Sequence, residues 1–205
     1  PKILFIFGGG TCHCSDLARE VMKKCNAASF STFAGRGIIK SDNELNFGSY
    51  LSHQSSLSPI SDADIVIAVG TSLSEVDIWR ESLGVSGKFI WVNSDPEAFS
   101  SSVGLHQKVI CNSEDFLRFL NDRIPVNYPN KWDIMVVKNF KRKCESEVDS
   151  VRPGITPLCY ALRECTEENT LFFSDMTQFA YVAKEVIPMD FPNHWHHPYG
   201  FGTLG

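Results

Sequence analysis

The stretch Asp62-Ala63-Asp64-Ile65-Val66-Ile67-Ala68-Val69-Gly70-Thr71-Ser72 decides the fold. Five apolar residues, Ile65 to Val69, follow two carboxylates and precede a Gly-Thr-Ser turn. A short, β-branched, uninterrupted apolar run reads as a strand buried on both faces, the habit of a parallel sheet covered by helices. In such sheets ligands sit beyond the carboxyl ends of the strands, where the strand order reverses. Gly70-Thr71-Ser72 is therefore where the chain is expected to turn backbone toward a ligand.

Four further strands are read around it. Ile3-Leu4-Phe5-Ile6-Phe7 is a second fully apolar run, closed by Gly8-Gly9-Gly10-Thr11 and followed by an amphipathic helix over 16–24 with Leu17, Val21 and Met22 on one face. A dinucleotide fingerprint needs a third glycine three places after the second, and His13 stands there. The turn therefore reads either as a phosphate-approaching turn or as a close-packed one. Ala28–Phe33 is shorter and more polar, nearer an edge; a polar loop over 40–46 and a short helix over 47–53 follow. Lys88–Asn93 and Lys108–Cys111 complete the set, with Ser113 as N-cap of a helix over 114–122. The expected order is 2-1-3-4-5, a Rossmann-like parallel α/β sheet ending near Ile124. Prolines and asparagines mark a linker over 125–130, and a helix is read over 132–148. After Arg152-Pro153-Gly154 the pattern restarts: a helix over 157–165, a strand over 170–174, a turn from Asp175 and a helix over 179–187. This is the strand-turn-helix opening of a second α/β domain.

The chain has 205 residues, 43% of them hydrophobic, enough for one sizeable core or one domain and part of another. A net charge of -5 leaves no basic footprint for nucleic acid. No apolar run approaches the ~20 residues of a membrane span. The seven cysteines are odd in number and scattered, which fits a reducing cytosol better than a disulfide framework. The Pro1-Lys2 start and the Gly202-Thr203-Leu204-Gly205 end both read as cut from something longer.

Three stretches in this order carry a resemblance: Ala34-Gly35-Arg36-Gly37-Ile38-Ile39; Ala63 to Glu75 with Val92-Asn93-Ser94-Asp95-Pro96; and Ser174-Asp175-Met176-Thr177-Gln178 with Gly200 to Gly205. Together they resemble the thiamine-diphosphate-dependent decarboxylases and carboligases of the pyruvate decarboxylase and acetolactate synthase type. The resemblance implies residues 1–125 as the central domain, 126–152 as a linker with a helix, and 153–205 as the incomplete start of the diphosphate-binding domain. It also implies a parent enzyme using thiamine diphosphate and Mg2+ on a 2-oxo acid, assembled as a homodimer or tetramer. The activating glutamate and the metal motif would lie outside 1–205, so the chain itself is expected to be inactive and to carry no catalytic or metal residue.

By resemblance, the Gly202 carbonyl accepts from the cofactor's amino group, Leu204 props its bent shape, and Thr203 stands between them. Gln178 contacts the diphosphate beside Thr177, which replaces a usual glycine. Asp175 is read as a helix cap, because its charge would repel a phosphate. Some relatives bind a flavin or ADP in the central domain; Gly10, Gly70, Thr71, Asp95 and Asn112 are the positions for it here, although an empty, structural central domain is the preferred expectation. His194, His196 and His197 lack the spacing of a zinc site, and Cys12-His13-Cys14 reads as packing. The alternative from another class is a stand-alone nucleotide-binding module without chemistry. It accounts for residues 1–125 and leaves 153–205 unexplained.

Overall fold

The computed structural model describes residues 1–99, 107–126, 128–129 and 131–198. Its centre is a parallel sheet of β1 (Ile3–Phe7), β2 (Ala28–Ser31), β3 (Asn46–Gly48), β4 (Ile65–Val69), β5 (Lys88–Asn93) and β6 (Gln107–Ile110), in the order β3-β2-β1-β4-β5-β6. The five expected strands keep their expected order. β1 and β4 pair in register from Ile3 with Ile65 to Phe7 with Val69, so the two wholly apolar runs lie side by side.

The edge differs from the sequence reading. Asn46–Gly48 is a strand, where a loop end and a short helix were expected, so β2 is one place in from the edge. Three residues are too few to show a period, and Phe47 earns its buried place through tertiary contact. Its ring stacks on Phe30 at 4.8 Å and meets Phe140 edge-on at 5.1 Å. β2 stops at Ser31 because Thr32 turns the chain, its hydroxyl accepting from Gly35 N.

Side chains alternate across the sheet. Phe5, Phe7, Ile67 and Val69 face α1 (Ser15–Cys25) and α4 (Ser113–Arg123), whose Val21, Met22 and Leu117 are buried against them. Leu4, Ile6, Val66 and Ala68 face the other way, toward α2 (Leu57–Asp62), α3 (Glu75–Ile78), α5 (Ile134–Val151), α6 (Ile155–Glu164) and α7 (Gln178–Val186). Val137, Phe140, Cys144 and Val148 of α5 and Val182 and Ala183 of α7 belong to that same core. Beyond α6, β7 (Phe172–Phe173) pairs in parallel with β8 (Trp195–His196). No helix among the described residues is long and apolar enough to cross a membrane.

Two caps sit one or two residues from where they were expected. Asn112, not Ser113, caps α4: its extended backbone lets Oδ1 accept from Glu114 N at 2.8 Å, while Ser113 is already helical. Thr177, not Asp175, caps α7 by accepting from Ala180 N at 3.1 Å; Asp175 accepts from Met176 N instead.

The glycine turn after β1 lies against the turn after β4. Gly8 N donates to Val69 O and Gly10 N to Gly70 O, both at 2.9 Å. A Cβ on Gly8 would stand 2.4 Å from Gly70 O and from Thr71 Cβ. Gly8→Ala is therefore expected to destabilise the protein by about 1–3 kcal/mol. The measurement is the urea midpoint at unchanged m-value; a midpoint equal to wild type would contradict this packing.

Candidate functional site

A cavity of about 620 Å³ opens at the carboxyl ends of β2 and β4. From the sheet side it takes Phe33 after β2, His53 in the loop after β3, and Val76 and Trp79 in and after α3. From the opposite side Arg152, at the end of α5, Met176 in the β7–α7 turn, and one face of α7 close it. Tyr181 and Lys184 share that face because they are three residues apart on a helix.

Charge and aromatic surface are arranged together here. Lys184 is 9% exposed, and its Nζ lies 4.0 Å from the centre of the Phe33 ring and 5.3 Å from that of Tyr181. Burial lowers its pKa, against the pull of Glu185. The Arg152 guanidinium lies over Tyr181 at 5.6 Å, and its Nε donates to Gln178 Oε1 at 2.7 Å. His197 titrates below the ordinary imidazole range, first through burial and then through Lys184. On the far wall His53 stands between Glu147 and Glu185. Burial disfavours its charged form, but the two carboxylates, Glu185 foremost, outweigh burial and raise its pKa.

Of the residues anticipated for the cofactor, Thr177 and Gln178 begin α7 at the rim of this cavity, with Gln178 held by Arg152. Gly202, Thr203 and Leu204 lie outside the described residues. Of those anticipated for a nucleotide, Gly10, Gly70 and Thr71 come together. Their backbone groups meet each other and β5: Thr71 O accepts from Trp91 Nε1 at 2.7 Å and from Asn93 Nδ2 at 3.0 Å. Asp95 accepts from Glu97 N, and Asn112 caps α4; both sit at strand ends apart from the cavity. The sequence reading missed Phe33, His53, Trp79, Arg152, Tyr181, Lys184 and Glu185. The three-residue spacing of Gln178, Tyr181 and Lys184 was a usable signal for a common helix face.

The histidine-rich loop is a strand and its flank. His196 stacks on Phe173 at 4.6 Å, and His197 Nδ1 lies 2.8 Å from Ser174 Oγ. The Cys12 and Cys14 thiols are buried and point at the Ala34 and Thr11 carbonyls.

Arg36, in the Gly-Arg-Gly turn, positions the cavity's roof. It is 5% exposed, and its Nη2 donates to the carbonyls of Ala183 and Ile187 at the end of α7. The Ala183 carbonyl also accepts from Ile187 N at 3.0 Å, while the Ile187 carbonyl lies past the last turn, where the helix supplies no donor. The same guanidinium lies 5.0 Å from the centre of the Trp195 ring in β8. Beside it Arg19 donates to the carbonyls of Gly37 and Asp190, and Asp190 Oδ1 accepts from Ser41 Oγ at 2.8 Å.

Residues 1–120 match the family described as thiamine pyrophosphate enzyme, central domain. The chain belongs to this family. Among relatives of this thiamine pyrophosphate enzyme domain, the probable 2-ketoarginine decarboxylase AruI of Pseudomonas aeruginosa is 29% identical over 98% of the chain and 36% of its own length. The acetolactate synthase large subunit of Haemophilus influenzae is 24% identical over 99% of the chain and 37% of its own. The chain thus spans little more than a third of the curated relatives it matches. Benzoylformate decarboxylase from Polynucleobacter necessarius shares the fold, with a TM-score of 0.72 at 15% identity, over all of this chain and 38% of that one.

Arg36→Met is expected to cost about 1–3 kcal/mol, the penalty for leaving the buried Ile187 carbonyl without its donor. Arg36→Lys should recover only part of this, because an ammonium cannot both fork and stack. Thermal unfolding of the three proteins checks it; equal midpoints would show that Arg36 does not hold α7.

Proposed function

We propose that this chain is the central domain and the opening of the diphosphate-binding domain of an enzyme that decarboxylates a 2-oxo acid with thiamine diphosphate and Mg2+. The observation that carries it is the alignment with the probable 2-ketoarginine decarboxylase. That alignment runs over 98% of the chain and so continues past the family match at residue 120. A stand-alone nucleotide module would give no reason for the segment beyond 120 to follow the same relative.

The described residues fit the diphosphate end of the cofactor. Gln178 uses its carbonyl oxygen on Arg152, which leaves its amide NH2 to donate. The Arg152 guanidinium beside it supplies positive charge at the same place, the combination a diphosphate is held by. Thr177 has its hydroxyl occupied by Ala180 N, so it would offer backbone rather than side chain. Gly202, Thr203 and Leu204 are assigned to the aminopyrimidine side on the sequence resemblance alone. When bound, the cofactor supplies an electron sink for the carbon that loses carboxylate. The contribution of residues 1–198 is positioning: the sheet and Arg36 fix α7, and α7 presents Gln178. The domain limits 1–125, 126–152 and 153–205 and a homo-oligomeric enzyme belong to the same proposal.

The test uses the complete reading frame beside the 205-residue chain. The complete protein should release carbon dioxide from a 2-oxo acid only with thiamine diphosphate and Mg2+ present, and the 205-residue chain should take up neither. In the complete protein, Gln178→Ala should raise the KM for thiamine diphosphate about tenfold with kcat nearly unchanged. That corresponds to one hydrogen bond to a charged group. Cofactor-independent turnover, or none on any 2-oxo acid, would overturn the reading.

A further inference from the structure

His53 enters a gap between two helices. Its Nδ1 lies 3.3 Å from Glu147 Oε2 on α5, and its Nε2 lies 3.1 Å from Glu185 Oε2 on α7. One helical turn before Glu147, α5 carries Cys144, which is fully buried and shares the same helix face. A ring nitrogen of His53, the Cys144 sulfur and a Glu147 oxygen all lie within 4.8 Å of one another. The second Glu147 oxygen accepts from Ser55 Oγ at 2.7 Å. The thiamine reading assigns none of these residues a role.

Packing alone gives a poor account of the group. An imidazole, a thiol and two carboxylates converge at the edge of an apolar core.

We propose that His53 Nδ1, Cys144 Sγ and a Glu147 carboxylate oxygen form a zinc-binding site, with Glu185 orienting the imidazole through Nε2. Sulfur, nitrogen and oxygen donors in one site suit Zn2+, whereas Mg2+ takes oxygen ligands alone. Donors around a tetrahedral zinc stand roughly 3.5 Å apart, given metal–ligand distances of about 2.0–2.3 Å. Zinc binding would draw the three donors, now within 4.8 Å of one another, together by about 1 Å. A zinc-bound imidazole commonly gives its other N–H to a carboxylate, and Glu185 occupies that position. His53 and Glu185 both line the 620 Å³ cavity, which provides an entry path and water for a fourth ligand.

Zinc takes the place of the thiol proton and of any proton on Nδ1, which leave to solvent. Zn2+, neutral imidazole, thiolate and two carboxylates sum to minus one, and the ion fastens the His53 loop to α5 and, through Glu185, to α7.

The site needs no thiamine cofactor, so its test stands apart from the proposed activity. Chelator-stripped protein is titrated with Co2+ and then with Zn2+. We expect uptake of one Co2+ with a near-ultraviolet thiolate-to-cobalt absorption and visible bands of four-coordinate cobalt, all bleached by one equivalent of Zn2+. Glu185→Gln should keep the absorption and weaken zinc about 10–100-fold in competition with a chromophoric chelator. Cys144→Ser should abolish the absorption and weaken zinc by more than that. Cys165→Ser, at an exposed cysteine, should change nothing. Absence of the thiolate absorption in wild-type protein overturns the proposal however the variants fold, and so does an absorption that survives Cys144→Ser.

Discussion

A sheet whose two central strands have no polar face has to be covered twice. β1 and β4 are such strands, and they lie side by side. Helices α1 and α4 cover one face; α1 and most of α4 come from the stretch that matches the family. The other face carries Phe30, Phe47, Phe89 and Trp91, all without exposed surface. Short α2 and α3 cannot cover so much aromatic area. Phe140 of α5 closes on Phe30 and Phe47, and Val182 and Ala183 of α7 join the same cluster. Residues beyond 130 are thus part of the sheet's cover as much as they are a route to the next domain.

This double cover also creates the cavity. α7 is drawn onto the sheet by its apolar residues and held by Arg36 at its carboxyl end, so its Tyr181–Lys184 face overhangs the ends of β2 and β4. Ligand sites of parallel sheets are expected at a strand-order reversal, here between β1 and β4. In this chain the glycine turns after those two strands pack on each other, and the open space lies to one side, under α7. Arg152, Gln178 and Lys184 bring positive charge and amide donors to its rim, while Glu185, beside Lys184 on α7, and Glu147 of α5 turn their carboxylates to His53.

How much of this was legible depended on whether the signal was local. Ile3–Phe7 and Ile65–Val69 declare themselves because burial on both faces leaves a continuous apolar run. Asn46–Gly48 does not, since a three-residue strand is made by its neighbours. The caps fall one or two places from the expected residues because Asn112 and Ser113, or Asp175 and Thr177, are chemically equivalent candidates; the one that caps is the extended residue directly before the first helical residue. The cavity was the least readable feature. Phe33, His53, Trp79 and Arg152 lie far apart in sequence and meet only once the second face is covered. The pairing of Cys144 with Glu147 on one helix face could be read from spacing, but their partner His53 could not.

The seam along Arg19, Arg36 and Asp190 bears on how such proteins can be recombined. All three contacts run from the central domain, two from its turns and one from Arg19 of α1, to backbone or side chains near the end of α7 and just beyond it. A chimaera joined at residue 125 would take the turns from one parent and their receiving carbonyls from another. It would also part the aromatic face from α5. A crossover placed after β8 keeps the guanidinium, its acceptors and the covering helices in one piece, so the exchangeable unit in this chain is longer than the stretch that carries the family signature.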